Sequence, residues 1–133
     1  MRLRGFEFVG RTVRSLGTVL ALMALATGTA EAAGDADHGK ALFARCVTCH
    51  AATAQNKVGP GLAGVVGRQA GTAPGFRYSK ALVAYAKVWD DQNLDSYLAA
   101  PSKLVPGTSM TINVPSAADR ADIIAYLKTL GGK

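Results

Sequence analysis

Both cysteines of the chain and one of its two histidines fall within five consecutive positions, Cys46-Val47-Thr48-Cys49-His50. The fold must therefore bring one chemistry to that turn, because no other cysteine remains for a structural disulfide. Size sharpens the constraint. Of the 133 residues, the first part reads differently from the rest: Arg2, Arg4, Arg11 and Arg14 make a basic start, residues 16–26 are apolar, and Ala30-Glu31-Ala32 has the small-x-small pattern of a signal-peptidase site. Residues 1–32 are expected to be an export signal and residues 33–133 a single domain. The apolar run falls short of the ~20 residues that a bilayer core requires, which disfavours a retained anchor. Removing 32 of 133 residues leaves 101, a length at which side chains alone make a marginal core and a bound group often completes it.

Along the expected mature chain, Asp35 is placed to cap a helix in which Gly39, Leu42, Phe43 and Cys46 share a face, so that the cysteine motif closes the helix. Residues 51–75 are rich in glycine, with Pro60 and Pro74, and read as an ordered loop. Two short helices are expected near residues 79–87 and 94–100, the second capped by Asn93 or Asp91 and stopped by Pro101. A second loop covers residues 101–115. Ser116 and Asp119 then form a capping box before a helix whose apolar stripe is Ile123, Ile124, Leu127 and Leu130, ended by Gly131-Gly132. The pattern is all-α. Its few helical residues cannot close around themselves, so a flat apolar body between the loops would solve the packing problem.

The spacing C-x-x-C-H is that of covalent attachment to a c-type haem. Two thiols three positions apart can each form a thioether to a haem vinyl, and the adjacent imidazole of His50 then faces the iron. A Cys46–Cys49 disulfide is open to an exported chain. A thioredoxin-like dithiol would need a strand before the motif and a helix after it, and a zinc site would need more ligands than His38 can add. The sixth iron position decides what such a haem does. Met110 is the sole methionine after residue 32 and sits in the turn-rich stretch Pro106-Gly107-Thr108-Ser109-Met110, away from ordinary helix filling. The competing reading is a gap-filling core thioether. His38 lies in the first helix, near the attachment turn, and is expected to be a solvated surface residue.

Taken together these stretches resemble a class I cytochrome c, of the small soluble mitochondrial and bacterial type. The residues that carry the resemblance are Gly34-Asp35, Gly39-Lys40 and Phe43, CVTCH, Lys57-Val58-Gly59-Pro60-Gly61-Leu62, Gly67-Arg68, Ala73-Pro74-Gly75-Phe76 with Tyr78, Trp89, Tyr97, Pro101, PGTSM and Ile124-Ala125-Tyr126-Leu127. The resemblance implies a cytochrome c fold, with N- and C-terminal helices crossing and short middle helices and loops around one covalent haem c. It implies that the Pro60 carbonyl accepts a hydrogen bond from His50, and that Arg68, Tyr78 and Trp89 surround a haem propionate. It also places Tyr97 and Thr108 near the Met110 sulfur and packs Gly39 and Phe43 against Ile124 and Leu127. Four residues depart from the pattern: Ile112 in place of an aromatic residue, Leu82 in place of asparagine, and Ser102 and Ser109 in place of docking lysines.

The expected function is that of a soluble periplasmic one-electron carrier with a haem held by His50 and Met110, moving electrons between membrane-bound respiratory or photosynthetic complexes. It is not expected to be an enzyme. Beyond residue 32 the charge is +4, mild basicity that suits transient docking on acidic faces of redox complexes, with Arg45, Lys57 and Lys103 as candidate contacts. There is no dense run of basic residues for nucleic acid. No stable membrane insertion is expected after signal cleavage, and the state is monomeric. Two alternatives stay open, a dedicated haem subunit of a dehydrogenase or oxidase and an open-site haem sensor or peroxidase.

Overall fold

A computed structural model describes residues 33–131; the expected export signal, residues 1–32, lies outside them. Five helices occur in order, α1 (Ala36–Leu42), α2 (Lys80–Tyr85), α3 (Asp91–Ala99), α4 (Pro101–Leu104) and α5 (Ala117–Thr129). Among the described residues there is no strand, only an isolated antiparallel bridge between Gln69 and Val88. The all-α expectation holds.

The starts of α1, α2, α3 and α5 each trace to a side-chain oxygen that accepts from an otherwise unpaired backbone N–H. Asp35 accepts from the amides of Asp37 and His38 at 2.9 and 3.1 Å, Ser79 from Leu82 at 3.2 Å and Ser116 from Asp119 at 3.2 Å. For α3 the cap is Asp90, which accepts from Asn93 N at 2.7 Å, in place of Asn93 or Asp91. The reason is local: Asn93 is already inside the helix, its side chain donating to Val88 O at 2.9 Å and accepting from Tyr85 Oη at 3.3 Å. Pro101 also does more than stop α3. It opens α4 as its first residue, where the N–H it lacks would have had no helical partner.

The cysteine motif follows a helix without closing it. α1 ends at Leu42 and tightens into a 3-10 turn over Phe43–Arg45. The motif is then a turn of its own, with Cys49 N and His50 N both donating to Cys46 O at 3.1 and 2.9 Å.

The most extensive helix contact is that of α1 with α5. Gly39 is the only buried residue of α1, and a Cβ built on it would overlap the Asp122 carbonyl and stand 3.0 Å from Ile123 N. The two backbones touch. Phe43, one turn on, stacks its ring 5.2 Å from Tyr126 and is buried with Ile124 and Leu127, which is the packing expected for this crossing. Because neither backbone can yield without shifting a whole helix, Gly39→Ala is expected to destabilise the protein by about 3 kcal/mol. Guanidinium unfolding at constant m-value measures this.

A polar clip closes the same crossing. Asp122 accepts from Asp35 N at 2.7 Å with one oxygen and pairs with His38 Nδ1 at 2.7 Å with the other. His38 is thus exposed, as expected, yet held. Its pKa is raised from 6.5, chiefly by the Asp122 hydrogen bond, and that of Asp122 is lowered from 3.8, chiefly by His38 and then by the Asp35 amide. The histidine part of the stabilisation is complete below the unfolded value of 6.5 and fades as pH rises through the raised pKa. The aspartate part is complete above 3.8 and fades as pH falls through the lowered one. The loss of stability in Asp122→Asn, measured by urea unfolding, is therefore expected to be larger at about pH 5.5 than at about pH 8.5.

Candidate functional site

The core does not fill the space that the loops enclose. A cavity of about 310 Å³ remains, and its lining includes Cys46, Cys49, His50, Pro60, Arg68, Tyr78, Trp89, Tyr97, Thr108 and Met110 together with buried Phe43, Val65, Leu94, Leu98, Ile123 and Leu127. Residues far apart in sequence thus converge on one apolar space with few polar groups.

On the motif side, the loop over residues 56–61 fixes the histidine. His50 Nδ1 lies 2.8 Å from Pro60 O; a carbonyl brings no proton, so Nδ1 is the donor, and in the neutral ring Nε2 is the nitrogen that carries the lone pair. Gly59 makes room for the ring, since a Cβ there would stand 2.7 Å from His50 Nδ1. Gly59 N donates to Cys49 O at 2.7 Å and the Lys57 ammonium donates to Val47 O, so the loop and the motif turn hold each other. Asn56 ties this loop to the next, accepting from Gly61 N at 3.0 Å and donating to Pro74 O at 2.9 Å.

Cys46 and Cys49 are free thiols, without the disulfide that their spacing allows. Burial pushes the Cys46 thiol up, with Arg45 opposing. A redox-active dithiol needs the reverse, an easily formed thiolate. Among the described residues no group of three or more His, Cys, Asp or Glu side chains comes together, and the zinc reading has no ligand set.

The segment 105–114, which also contributes to the lining, carries Met110 without helical support. Thr108 N donates to Val105 O at 3.0 Å, Thr108 Oγ1 accepts from Met110 N at 3.4 Å, and the same hydroxyl lies 2.6 Å from Tyr97 Oη. Burial raises the Tyr97 phenol, with the Thr108 bond opposing, so it stays a neutral hydroxyl bonded to Thr108. Downstream, Val114 N donates to Leu98 O at 2.8 Å, and Arg120 of α5 donates from Nη1 to the Val114 and Pro115 carbonyls.

Between these walls, Arg68 donates to Ala63 O and Gly61 O at 3.1 and 3.2 Å, Tyr78 Oη accepts from Ala73 N at 3.1 Å, and buried Trp89 packs 4.9 Å from the Tyr97 ring. Each keeps donor capacity that its backbone bonds do not use. Arg77 lines the same cavity and escaped the sequence reading because nothing in its neighbourhood marks it. Asn56 escaped for the same reason. Arg120 had a signal: it sits on the apolar stripe of α5, three, four and seven residues before Ile123, Ile124 and Leu127. Of the candidate docking charges, Arg45 stands 3.9 Å from Asp119 and Lys57 is engaged with the motif turn, and all three, Lys103 among them, are exposed. Ile112 and Leu82 also line the cavity, and Ile112 is half exposed.

This donor set fits an iron tetrapyrrole. A large apolar space suits the ring, two unpaired thiols lie on the side that supplies an imidazole lone pair, a soft thioether lies in the lining, and an arginine and a tyrosine are available for its acidic groups.

Comparison with known proteins agrees with this chemistry. The family described as Cytochrome c matches residues 36–131. The chain is 46% identical over 99 residues to "Cytochrome c-type cyt cy" of Rhodobacter capsulatus, 73% of this chain but only 50% of that protein. It is 48% identical over 100 residues to the cytochrome c of Euglena viridis, 73% of this chain and 98% of that one. Among solved structures, cytochrome cH from Methylobacterium extorquens superposes with a TM-score of 0.70 at 46% identity, over 72% of this chain and 99% of the other.

Proposed function

The chain belongs to the cytochrome c family, whose members carry covalent haem c in electron transport, and we propose on that footing that it is a soluble one-electron carrier with His50 and Met110 as the two axial ligands. Bound haem supplies a reversible one-electron iron couple. The observation that carries the proposal is that one apolar cavity is lined by both free thiols, the His50 imidazole with its lone pair on Nε2, and the Met110 thioether.

Each residue then has a task. Cys46 and Cys49 tether the ring. Pro60 O holds the His50 tautomer and orientation. Tyr97 and Thr108 hold the start of the Met110 segment. Arg68, Tyr78 and Trp89 offer donors to a propionate, which an inward carboxylate requires. The apolar walls exclude water and so disfavour the more highly charged oxidised centre, which raises the potential, as does the thioether. With His50 and Met110 both supplied as iron ligands, no position would remain for a substrate, which suits electron transfer without bond chemistry.

Export is part of the proposal: residues 1–32 as signal, residues 33–133 as a monomeric periplasmic domain. Among the described residues no helix is long and apolar enough to cross a membrane. The partners are redox complexes with acidic faces, respiratory or photosynthetic, met through a thin positive rim to which exposed Arg45, Lys57 and Lys103 contribute. Weak, salt-dependent encounter suits a shuttle.

The test is optical. The oxidised protein should show the weak long-wavelength sulfur-to-iron charge-transfer band, and the reduced protein should bind carbon monoxide slowly. Rapid binding without the band would point to an open-site sensor or peroxidase. Co-purification with a large partner at physiological salt would point to a dedicated subunit.

A further inference from the structure

Arg120 is a charge placed where the apolar stripe of α5 has no need of one. Its side chain is only 11% exposed, and its donors are directed to specific acceptors. Nε and Nη2 reach the two oxygens of Asp95 on α3 at 2.7 and 3.4 Å. Nη1 reaches Val114 O at 3.0 Å and Pro115 O at 2.8 Å. Those two carbonyls belong to the irregular segment that runs from Met110 to α5. The Val114 side chain is 2% exposed, and its amide is bonded to Leu98 on α3.

Met110 therefore lies between two clamps, both of which use α3. Upstream, Tyr97 holds Thr108. Downstream, Leu98 and the Asp95–Arg120 fork hold Val114 and Pro115. Among the described residues, the only backbone amide donated between residues 109 and 113 is that of Met110 itself, at a long 3.4 Å to Thr108. The clamps decide how narrowly the thioether is confined.

We propose that Arg120 is a positioning residue for the Met110 ligand, which rests on the His50/Met110 reading. A tethered ligand competes with dissolved ones through its effective concentration, which falls as the free span between anchors lengthens. Arg120 shortens that span. Lysine cannot replace it, because a single ammonium cannot serve a carboxylate and two carbonyls in the planar geometry of a guanidinium.

The experiment is a titration of oxidised holoprotein with imidazole, followed by loss of the sulfur–iron band, on wild type, Arg120→Lys and Asp122→Asn. The last loosens α5 where it meets α1, through contacts that do not involve this segment, and controls for stability lost without unpinning. Arg120→Lys should bind imidazole about tenfold more tightly than wild type, the loss of one charge-assisted hydrogen bond. Asp122→Asn should not. Equal imidazole affinity in Arg120→Lys and wild type, or an equal rise in Asp122→Asn, overturns the proposal. Should Arg120→Lys fail to yield holoprotein, Asp95→Asn decides: a rise of about threefold supports the proposal, and no rise overturns it. A wild type that lacks the band overturns the ligand reading and this proposal together, whereas a wild type with the band and an unresponsive variant overturns this one alone.

Discussion

Replacing Cys46 and Cys49 together by serine is expected to give a chain that holds no covalent haem and does not fold. The side chains that would have to sustain the fold unaided line a cavity of about 310 Å³. At about 24 cal/mol per Å³, leaving such a space unfilled costs about 7 kcal/mol, as much as the whole stability of many domains of this size. The remaining helix contacts cannot offset that: α1 has seven residues, α2 six and α4 four, lengths that have little stability of their own. Far-UV circular dichroism should show little helix, and the visible absorption should vanish after acid–acetone extraction. The expectation fails if the haem-free chain unfolds cooperatively at the wild-type denaturant midpoint.

How much of this was legible beforehand depends on where the signal resides. A motif such as CVTCH carries its chemistry in side chains at fixed spacing, and Asp35, Ser79 and Ser116 announce helix starts by the oxygen each offers to a nearby amide. The crossing of α1 and α5 came from the resemblance: helical period marks the apolar face of each helix, Gly39 and Phe43 on one and Ile124 and Leu127 on the other, but does not say that the two faces meet. The Pro60 carbonyl is a similar case. It is a backbone atom with no residue-type signature, and only the resemblance to a family pointed to it. Asp90 was missed as a cap because Asn93 and Asp91 are equally good cap residues in isolation, and the choice depends on Tyr85 and Val88 occupying the Asn93 side chain. Sequence shows a positive charge but not its neighbours: Lys57 is bonded to Val47 O and Arg45 stands 3.9 Å from Asp119. Arg120 was legible as an anomaly on an apolar stripe. Its meaning required the Val114 and Pro115 carbonyls, which no periodicity brings to it.

Met110→Ala is expected to have the largest electronic effect of any single substitution. Methionine lines the cavity, its amide bonded to the Thr108 hydroxyl that Tyr97 holds, and no other thioether occurs in residues 33–133. Alanine leaves the iron to water or to a dissolved ligand. Oxygen and nitrogen donors favour the ferric state more than sulfur does, and water admitted to the cavity screens the ferric charge, so both effects act in the same direction. The midpoint potential should fall by more than about 0.1 V, a modest part of the ~0.8 V that axial ligation commands. Carbon monoxide should bind the reduced variant rapidly, and the sulfur–iron band should be absent. Covalent attachment, by contrast, should survive, because Cys46, Cys49 and the His50–Pro60 bond are held by contacts that do not involve the Met110 segment. This separation is what tells a ligand from a packing methionine. A core thioether trimmed to alanine would cost about 2–4 kcal/mol of stability and leave potential and spectrum where they were, and that result would sink the assignment of Met110.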